Sequence, residues 1–133
     1  MNCMTMKYQA LEQVSYDEAL LLLKSGDADQ CLMLPLRAGE YIGDWKQAED
    51  ICLRCCESRD PALRANAVLG LSYVARRFRK LDRPLVKPHI FKELRENHDF
   101  RSRIMDAVSD INLFLGWHLA EKTLSRLRSE FQK

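Results

Sequence analysis

The sequence predicts one all-α domain over residues 1–133, with about six or seven helices. Two observations lead to this fold class. Apolar residues recur at the three- and four-residue spacing of amphipathic helices, and serine or aspartate precedes several of these runs, as at helix N-termini. No stretch alternates apolar and polar residues with period two, so no strand is expected.

Residues suited to helix N-termini place the elements in order. Ser15 and Glu18 form a capping box, and Asp44, Asp60 and Asp82 are each suited to cap a later helix. The predicted helices cover about residues 16–24, 29–41, 45–58, 61–78, 83–96, 100–115 and 117–131.

Proline and glycine are expected to shape the helix ends. Pro61 suits the first position of the fourth helix, whereas Pro35 forces a kink or a break in the second. Pro88 is expected to bend the axis of the fifth helix. Gly43 and Gly116 are expected to end the second and sixth helices.

The fourth helix has two occupied faces. Its core-facing stripe covers an arc of about 120°. The opposite face carries Asn66, Leu69 and Tyr73, with Gly70 and Arg77 at its edge, and is more apolar than a solvated face needs to be. We therefore expect neighbours on more than one side, or one neighbour and a ligand. The stripe consists of Ala67, Val68, Leu71, Val74, Ala75 and Phe78.

The chain contains an internal repeat. A shift of 40 residues superposes the apolar stripe of the fourth helix on that of the sixth, and a shift of 39 superposes Asp60 and Arg64 on Asp99 and Arg103. Two helical pairs of this length are typical of a HEAT- or armadillo-type solenoid. Because Arg64 lies inside the apolar arc, we expect its stem to be packed and its guanidinium to pair with a carboxylate.

Composition gives little sign of a partner. The 21 basic and 19 acidic residues leave a net charge of +2, too close to neutral to require nucleic acid or an acidic membrane. Five cysteines are scattered among apolar positions, without a secretory signal or an apolar run of about 18 residues. We therefore expect a reduced, cytoplasmic protein.

No constellation of residues indicates catalysis. Cys52 and Cys55 form a C-x-x-C pair in the last turns of a helix, without a second ligand pair at zinc spacing, so we interpret them as core residues. His89, His98 and His118 are isolated, and no nucleophile motif or phosphate-binding loop is present. We expect no metal, no cofactor and no enzymatic activity.

The sequence of residues 60–64, Asp-Pro-Ala-Leu-Arg, with Ala67 and Leu71 resembles the second-helix motif of HEAT repeats. Over about residues 16–117 the chain is similar to small bacterial single-domain HEAT-like proteins encoded beside polymorphic toxins. The resemblance implies an immunity protein that binds a cognate toxin domain, with contact-dependent growth inhibition toxins and nucleases as candidates. The segments that carry it are residues 39–45, 62–71, 74–76, 81–82 and 110–115.

The predicted toxin-binding surface is the outward face of the fourth and sixth helices. The 40-residue shift aligns Asn66 with Asp106 and Tyr73 with Leu113, a mixture of acids with aromatic and aliphatic residues that is typical of protein-binding patches. The alternative is that the terminal helices cover this face as caps. The residues expected to bind the toxin are Tyr41, Asp44, Trp45, Asn66, Tyr73, Asp106 and Asp110, the first three near the rim.

A basic run at residues 76–83 supports a different function. Such a run at a helix end suits phosphate contacts, so a HEAT-like adaptor or nucleic-acid-binding module is the alternative to an immunity protein. We favour a structural role for the run, which complements the helix dipole and enters a solvated loop, because the excess charge is not sustained elsewhere.

Overall fold

The computed structural model describes the backbone of residues 11–131 and the side chains of residues 11–130. This part of the chain contains eight α-helices and no strand, so the all-α prediction is confirmed. The helices are α1 (Tyr16–Ser25), α2 (Ala28–Leu32), α3 (Leu34–Tyr41), α4 (Trp45–Cys55), α5 (Pro61–Phe78), α6 (Arg83–Glu96), α7 (Arg101–Leu115) and α8 (Glu121–Phe131).

Most of the predicted helix ends are confirmed. The Ser15 hydroxyl accepts from the Glu18 amide at 3.1 Å, and the Glu18 carboxylate accepts from the Ser15 amide at 3.1 Å. Asp44 accepts hydrogen bonds from two amides of the first turn of α4, and Asp60 accepts one in α5. Gly116 ends α7 with a φ of 66°, a left-handed conformation that suits glycine.

The second predicted helix is two helices, which raises the count to eight. Met33 ends α2 and begins α3, where Pro35 lies in the first turn. Because Pro35 has no N–H to donate to the Cys31 carbonyl, one continuous helix would lack a hydrogen bond there. A kink or a break was expected at this proline, and the structure shows a break.

Two further predicted boundaries are wrong. Helix α4 ends at Cys55 rather than near residue 58. The last helix begins at Glu121 rather than at residue 117, because the Asn112 side chain bonds both the amide and the carbonyl of Leu119 at 3.0 Å. The expected core position of Phe131 lies outside the described side chains.

Asp82 does not cap α6, contrary to prediction. Its side chain makes no capping hydrogen bond, and Oδ2 instead accepts from Lys46 Nζ at 2.8 Å. This hydrogen bond holds the pKa of Asp82 below its usual range. A contact between distant helices has therefore replaced a local one.

Helix α5 lies at the centre of the fold, and the prediction of two occupied faces is confirmed. It packs most extensively against α7 and α3, and then against α4. The predicted stripe is buried except for Phe78, which is partly buried. On the opposite face Asn66 is buried as well, and so is Gly70 at its edge.

Two glycines allow α3 and α5 to approach closely. A Cβ on Gly39 would lie 2.6 Å from the Gly70 carbonyl oxygen and 2.9 Å from Tyr73 Cβ. A Cβ on Gly70 would lie 2.5 Å from the Pro35 carbonyl oxygen and 2.8 Å from Cys52 Sγ. Since these distances are shorter than real Cβ contacts, each position requires glycine.

Hydrogen bonds show that α3, α5 and α7 run in the same direction. Asn66 near the start of α5 bonds Leu32 and Arg103, which lie before α3 and near the start of α7. At the other end, Arg77 bonds the Ile42 carbonyl and Arg79 bonds the Phe114 carbonyl. These contacts join residues 34 to 37 positions apart, somewhat less than the 39 or 40 inferred from the repeat.

Candidate partner-binding surface

Tyr41 and Tyr73 lie together in one shallow groove, as expected for two members of the predicted surface. The close approach of α3 and α5 brings them side by side, in a groove of about 320 Å³ that Leu11, Glu40 and Arg76 also line. Arg76 bonds the Glu40 carboxylate at 2.8 Å, and its guanidinium lies 4.9 Å from the centre of the Tyr73 ring. The groove thus combines aromatic surface with an ion pair that is open to solvent.

The outward face of α7 presents two acids and a leucine. Asp106, Asp110 and Leu113 are spaced by four and three residues, so they share one side of the helix. Leu113 is 75% exposed, the largest exposure among the big apolar side chains of the described residues. Both carboxylates are exposed and form no side-chain hydrogen bond or ion pair within the described part of the chain.

A hydrogen bond between α5 and α7 differs from the pairing that the 40-residue shift predicts. Asn66 contacts Arg103, which lies 37 positions later, rather than Asp106. Tyr73 lines the tyrosine groove, whereas Asp106 and Asp110 do not.

Asn66 does not face outward, which corrects its assignment to the surface. Its side chain is 5% exposed, and both ends of the amide are used inside the protein. Nδ2 donates to the Leu32 carbonyl at 2.8 Å, and Oδ1 accepts from Arg103 at 3.1 Å. Asn66 joins three helical segments and offers no polar atom to a partner.

Asp44 and Trp45 do not line the groove that Tyr41 lines. Asp44 is exposed, but its Oδ1 accepts the amides of Lys46 at 2.8 Å and Gln47 at 3.1 Å. Trp45 is half-buried against the core, with Lys46 Nζ 5.3 Å from the centre of its ring. Among the predicted rim residues, Tyr41 alone lines the groove.

The basic run after Tyr73 is largely engaged in contacts within the protein. Arg76 pairs with Glu40, and Arg77 donates to the Gly39 and Ile42 carbonyls at 2.7 and 3.0 Å. Arg79 donates to the Phe114 carbonyl at 3.3 Å. These arginines join α5 to its two neighbours, which favours the structural interpretation of the run over phosphate binding.

Arg64 has the buried carboxylate partner that the sequence predicts. Its Nε donates to Glu93 at 3.1 Å, and Glu93 is 1% exposed. Asn97 donates to the same carboxylate at 3.0 Å and to the Pro61 carbonyl at 2.9 Å. This network ties the end of α6 to the start of α5.

A second buried acid, Glu49, was not singled out from the sequence. It accepts from the Asp82 amide at 2.5 Å and from Lys46 Nζ at 3.2 Å, so it joins α4 to the start of α6. A signal for it exists, because Glu49 lies four residues after Trp45 and three before Cys52, next to the apolar face of its helix. A charged residue at such a position needs a partner inside the fold.

The cysteines of the C-x-x-C pair are core residues, as predicted. Cys52 is fully buried and Cys55 is 1% exposed. Burial raises the pKa of the Cys55 thiol to about 12 and that of Cys52 well above its usual range. Both thiols therefore stay protonated at neutral pH. Within residues 11–130, no group of three or more metal-ligating side chains is placed to hold a metal ion.

Comparisons with known protein families, with curated proteins and with solved structures find no match. None of the described helices combines the length and the apolar character needed to cross a bilayer.

Proposed function

We propose that the chain is a cytoplasmic immunity protein with a HEAT-like helical stack, which binds a cognate toxin nuclease and blocks its substrate cleft. The observation that carries this proposal is the exposed pair Asp106 and Asp110 beside Leu113. Two carboxylates without partners in the described chain, next to a 75% exposed leucine, suit a contact with a basic protein surface that has apolar positions.

The regular spacing of contacts supports the HEAT-like stack. Side-chain hydrogen bonds join Tyr16 to Asp50, Lys46 to Asp82 and Asn66 to Arg103, over 34, 36 and 37 positions. Successive units of this length that contact their next neighbour are typical of solenoids. Helices α3, α5 and α7 would then form one layer, with α1, α4 and α6 in the other.

Electrostatic mimicry supports the choice of a nuclease. A nuclease cleft must attract phosphate, so it presents positive potential. Asp106 and Asp110 would occupy that potential in place of the nucleic-acid backbone, while Leu113 and Tyr73 supply apolar contact area. Inhibition then needs no chemistry from this chain, because a bound partner leaves no room for substrate.

The test uses the C-terminal domain of a toxin encoded next to this gene, measured by titration calorimetry. The variants are Tyr73→Ala and the double change Asp106→Asn with Asp110→Asn. We expect each to weaken binding by about 10- to 100-fold, because charged and aromatic anchors dominate such interfaces. Thermal unfolding should stay unchanged, since the three side chains are exposed or half-buried.

The matched control is Asp17→Asn with Asp29→Asn, which removes two exposed carboxylates far from α7. If the position of the negative charges matters more than the net charge, this variant should bind the toxin with an affinity within about twofold of that of the unchanged protein. If all variants bind the toxin as tightly as the unchanged protein does, the toxin binds to another face. Tight, steeply salt-dependent binding of duplex DNA instead of the toxin would favour the nucleic-acid-binding alternative.

A further inference from the structure

A pocket of about 300 Å³ lies where the ends of α1 and α4 meet α2 and the start of α5. Its volume is at the small end of the range found for ligand sites. None of its lining residues belongs to the predicted toxin-binding surface, so a ligand here is independent of the proposed function. The apolar part of its wall consists of Leu23, Ala28, Cys31, Cys55 and Leu63.

The apolar wall suits a hydrocarbon side chain. Cys31 and Cys55 are buried and Leu63 is 7% exposed, so the core holds these three side chains in place. Burial raises the pKa of both thiols, which therefore present uncharged sulfur to the pocket at neutral pH. Leu23 and Ala28 complete the wall from α1 and α2. A ligand that fills this space needs an apolar body.

The mouth of the pocket carries charges of both signs. Arg54 Nε donates to Asp50 at 2.8 Å, and its two terminal nitrogens donate to no described residue. The Glu57 carboxylate accepts no hydrogen bond within the described part of the chain, and His89 Nε2 lies 3.8 Å from it. Asp60 uses one carboxylate oxygen to cap α5. The mouth therefore offers a cation for a carboxylate and an anion for an ammonium group.

The backbone around the pocket does not favour one sign of charge. Helices α1 and α4 end there, whereas α2 and α5 begin there, so negative and positive helix ends are both present. Asp27 and Asp60 cap the two helix starts. Lys24 and Arg59 are close in the sequence but do not line the pocket. The opposite charges at the mouth therefore suit a ligand that carries both signs.

We infer that this pocket binds a free apolar α-amino acid of about the size of leucine. In the bound state the ligand side chain lies between Leu23, Cys31 and Leu63. Its carboxylate accepts from Arg54, and its ammonium group donates to Glu57. A zwitterion satisfies both charges at the mouth, whereas a fatty acid or a simple amine satisfies only one.

NMR titration of the isotope-labelled full chain with L-leucine tests the site. The amides of Gly26, Cys31 and Cys55 should shift together and saturate at millimolar concentrations, as expected for so small a ligand. Gly116 has the same left-handed conformation as Gly26 but does not line the pocket, so its amide should not shift. Shifts that do not saturate, or that are as large at Gly116, would overturn the inference.

Ligand analogues test the three parts of the contact. Leucinamide lacks the carboxylate and N-acetyl-leucine lacks the ammonium group. Each should bind about two- to fivefold more weakly than L-leucine, because partly exposed ion pairs contribute modestly. Glycine carries both charges without the apolar body and should give no saturable shift over the same range. Equal affinities for leucine and the two analogues would show that the charges do not select the ligand, which would overturn the assignment to an amino acid.

Matched variants locate the binding. Glu57→Gln should weaken L-leucine binding by about two- to fivefold and leave N-acetyl-leucine binding unchanged, because only leucine has the ammonium group that donates to Glu57. Ala28→Phe should abolish the saturable shifts, since its ring fills the pocket from an exposed part of the wall. The control is Gln30→Phe, on the same helix but outside the pocket, which should bind leucine normally.

Circular dichroism checks that each variant folds. If Ala28→Phe does not fold, Glu57→Gln and the ligand analogues still decide the question on intact protein. Full leucine affinity in a folded Ala28→Phe variant, or an equal loss in Gln30→Phe, would contradict binding in this pocket.

Discussion

Helix α5 runs in the same direction as α3 and α7, and arginine side chains bridge both contacts, but only the α3 contact also brings backbone close to backbone. On the α3 side, Gly39 and Gly70 bring backbone against backbone. On the α7 side, the hydrogen bonds come from the long side chains of Arg103 and Arg79. A backbone contact has no freedom to adjust, whereas long side chains can change rotamer. The α3 contact should therefore tolerate change much less than the α7 contact.

The largest expected effect is that of Gly70→Ala on the α3 side. The new methyl group would lie 2.5 Å from the Pro35 carbonyl oxygen, a backbone atom that moves only with α3. We expect a loss of at least about 3 kcal/mol in the free energy of unfolding, at or above the usual cost of overpacking. Urea denaturation measures it. Gly43→Ala is the control, because a Cβ there meets nothing within 4 Å.

Asn66 joins both sides, so its removal compares them directly. Asn66→Ala leaves the Leu32 carbonyl and the Arg103 guanidinium without their partner, and we expect a cost of about 1–3 kcal/mol. Arg103→Ala removes only the hydrogen bond on the α7 side and should cost less than Asn66→Ala, because the Leu32 carbonyl keeps its partner. If the two variants lose equal stability in urea denaturation, the Leu32 hydrogen bond contributes little and the proposed asymmetry is wrong.

Alkaline pH should lower the stability of the fold, in part through the α3 side. Cys52 lies in that contact, where its thiol donates to the Pro35 carbonyl at 3.6 Å, and burial raises its pKa well above the usual range. An unfolded thiol loses its proton near pH 8.5, whereas the folded one keeps it, so stability falls as pH rises above that value. At about pH 9.5 the expected loss is about 1.4 kcal/mol for this thiol.

The control for this pH effect is Cys52→Ala, measured by urea denaturation under reducing conditions at about pH 7.5 and 9.5. The variant should lose less stability between the two pH values than the unchanged protein, by about 1.4 kcal/mol. An identical pH dependence in both proteins would show that the Cys52 thiol does not control it.

The smallest expected effects concern two exposed arginines near the end of α5. Arg76 contacts Glu40 on the α3 side, and Arg79 contacts the Phe114 carbonyl on the α7 side. Arg76→Gln and Arg79→Gln should each change thermal stability by less than about 1 kcal/mol, because solvent screens both contacts. A larger loss for either would mean that the arginine, rather than the packed helices, holds that side together.

Much of the fold was predictable because its signals are local. The Ser15 capping box, the Asp60 cap and the apolar stripe of α5 depend on residues within a few turns of each other. Where a distant contact prevailed over a local preference, the prediction was wrong. Asp82 binds Lys46 instead of capping its helix, and the Asn112 side chain delays the start of α8.

The candidate surface was less predictable, for a geometric reason. Periodicity shows which side of a helix is apolar, but it does not show how far one helix is displaced along the next. The alignment by 40 residues placed Asn66 beside Asp106, whereas the contact that forms is with Arg103. Tyr41 and Tyr73 do come together, which required only that α3 and α5 be neighbours.

The short span of the contacts also bears on how the chain is made. Among the described residues, no side-chain hydrogen bond joins positions more than 38 apart. Proteins with such local contacts fold quickly, because little chain entropy is lost before each contact forms. During synthesis, α5 can pack against α3 as soon as it leaves the ribosome, before α7 emerges. The glycine contact can thus form first and serve as the template on which the later helices assemble.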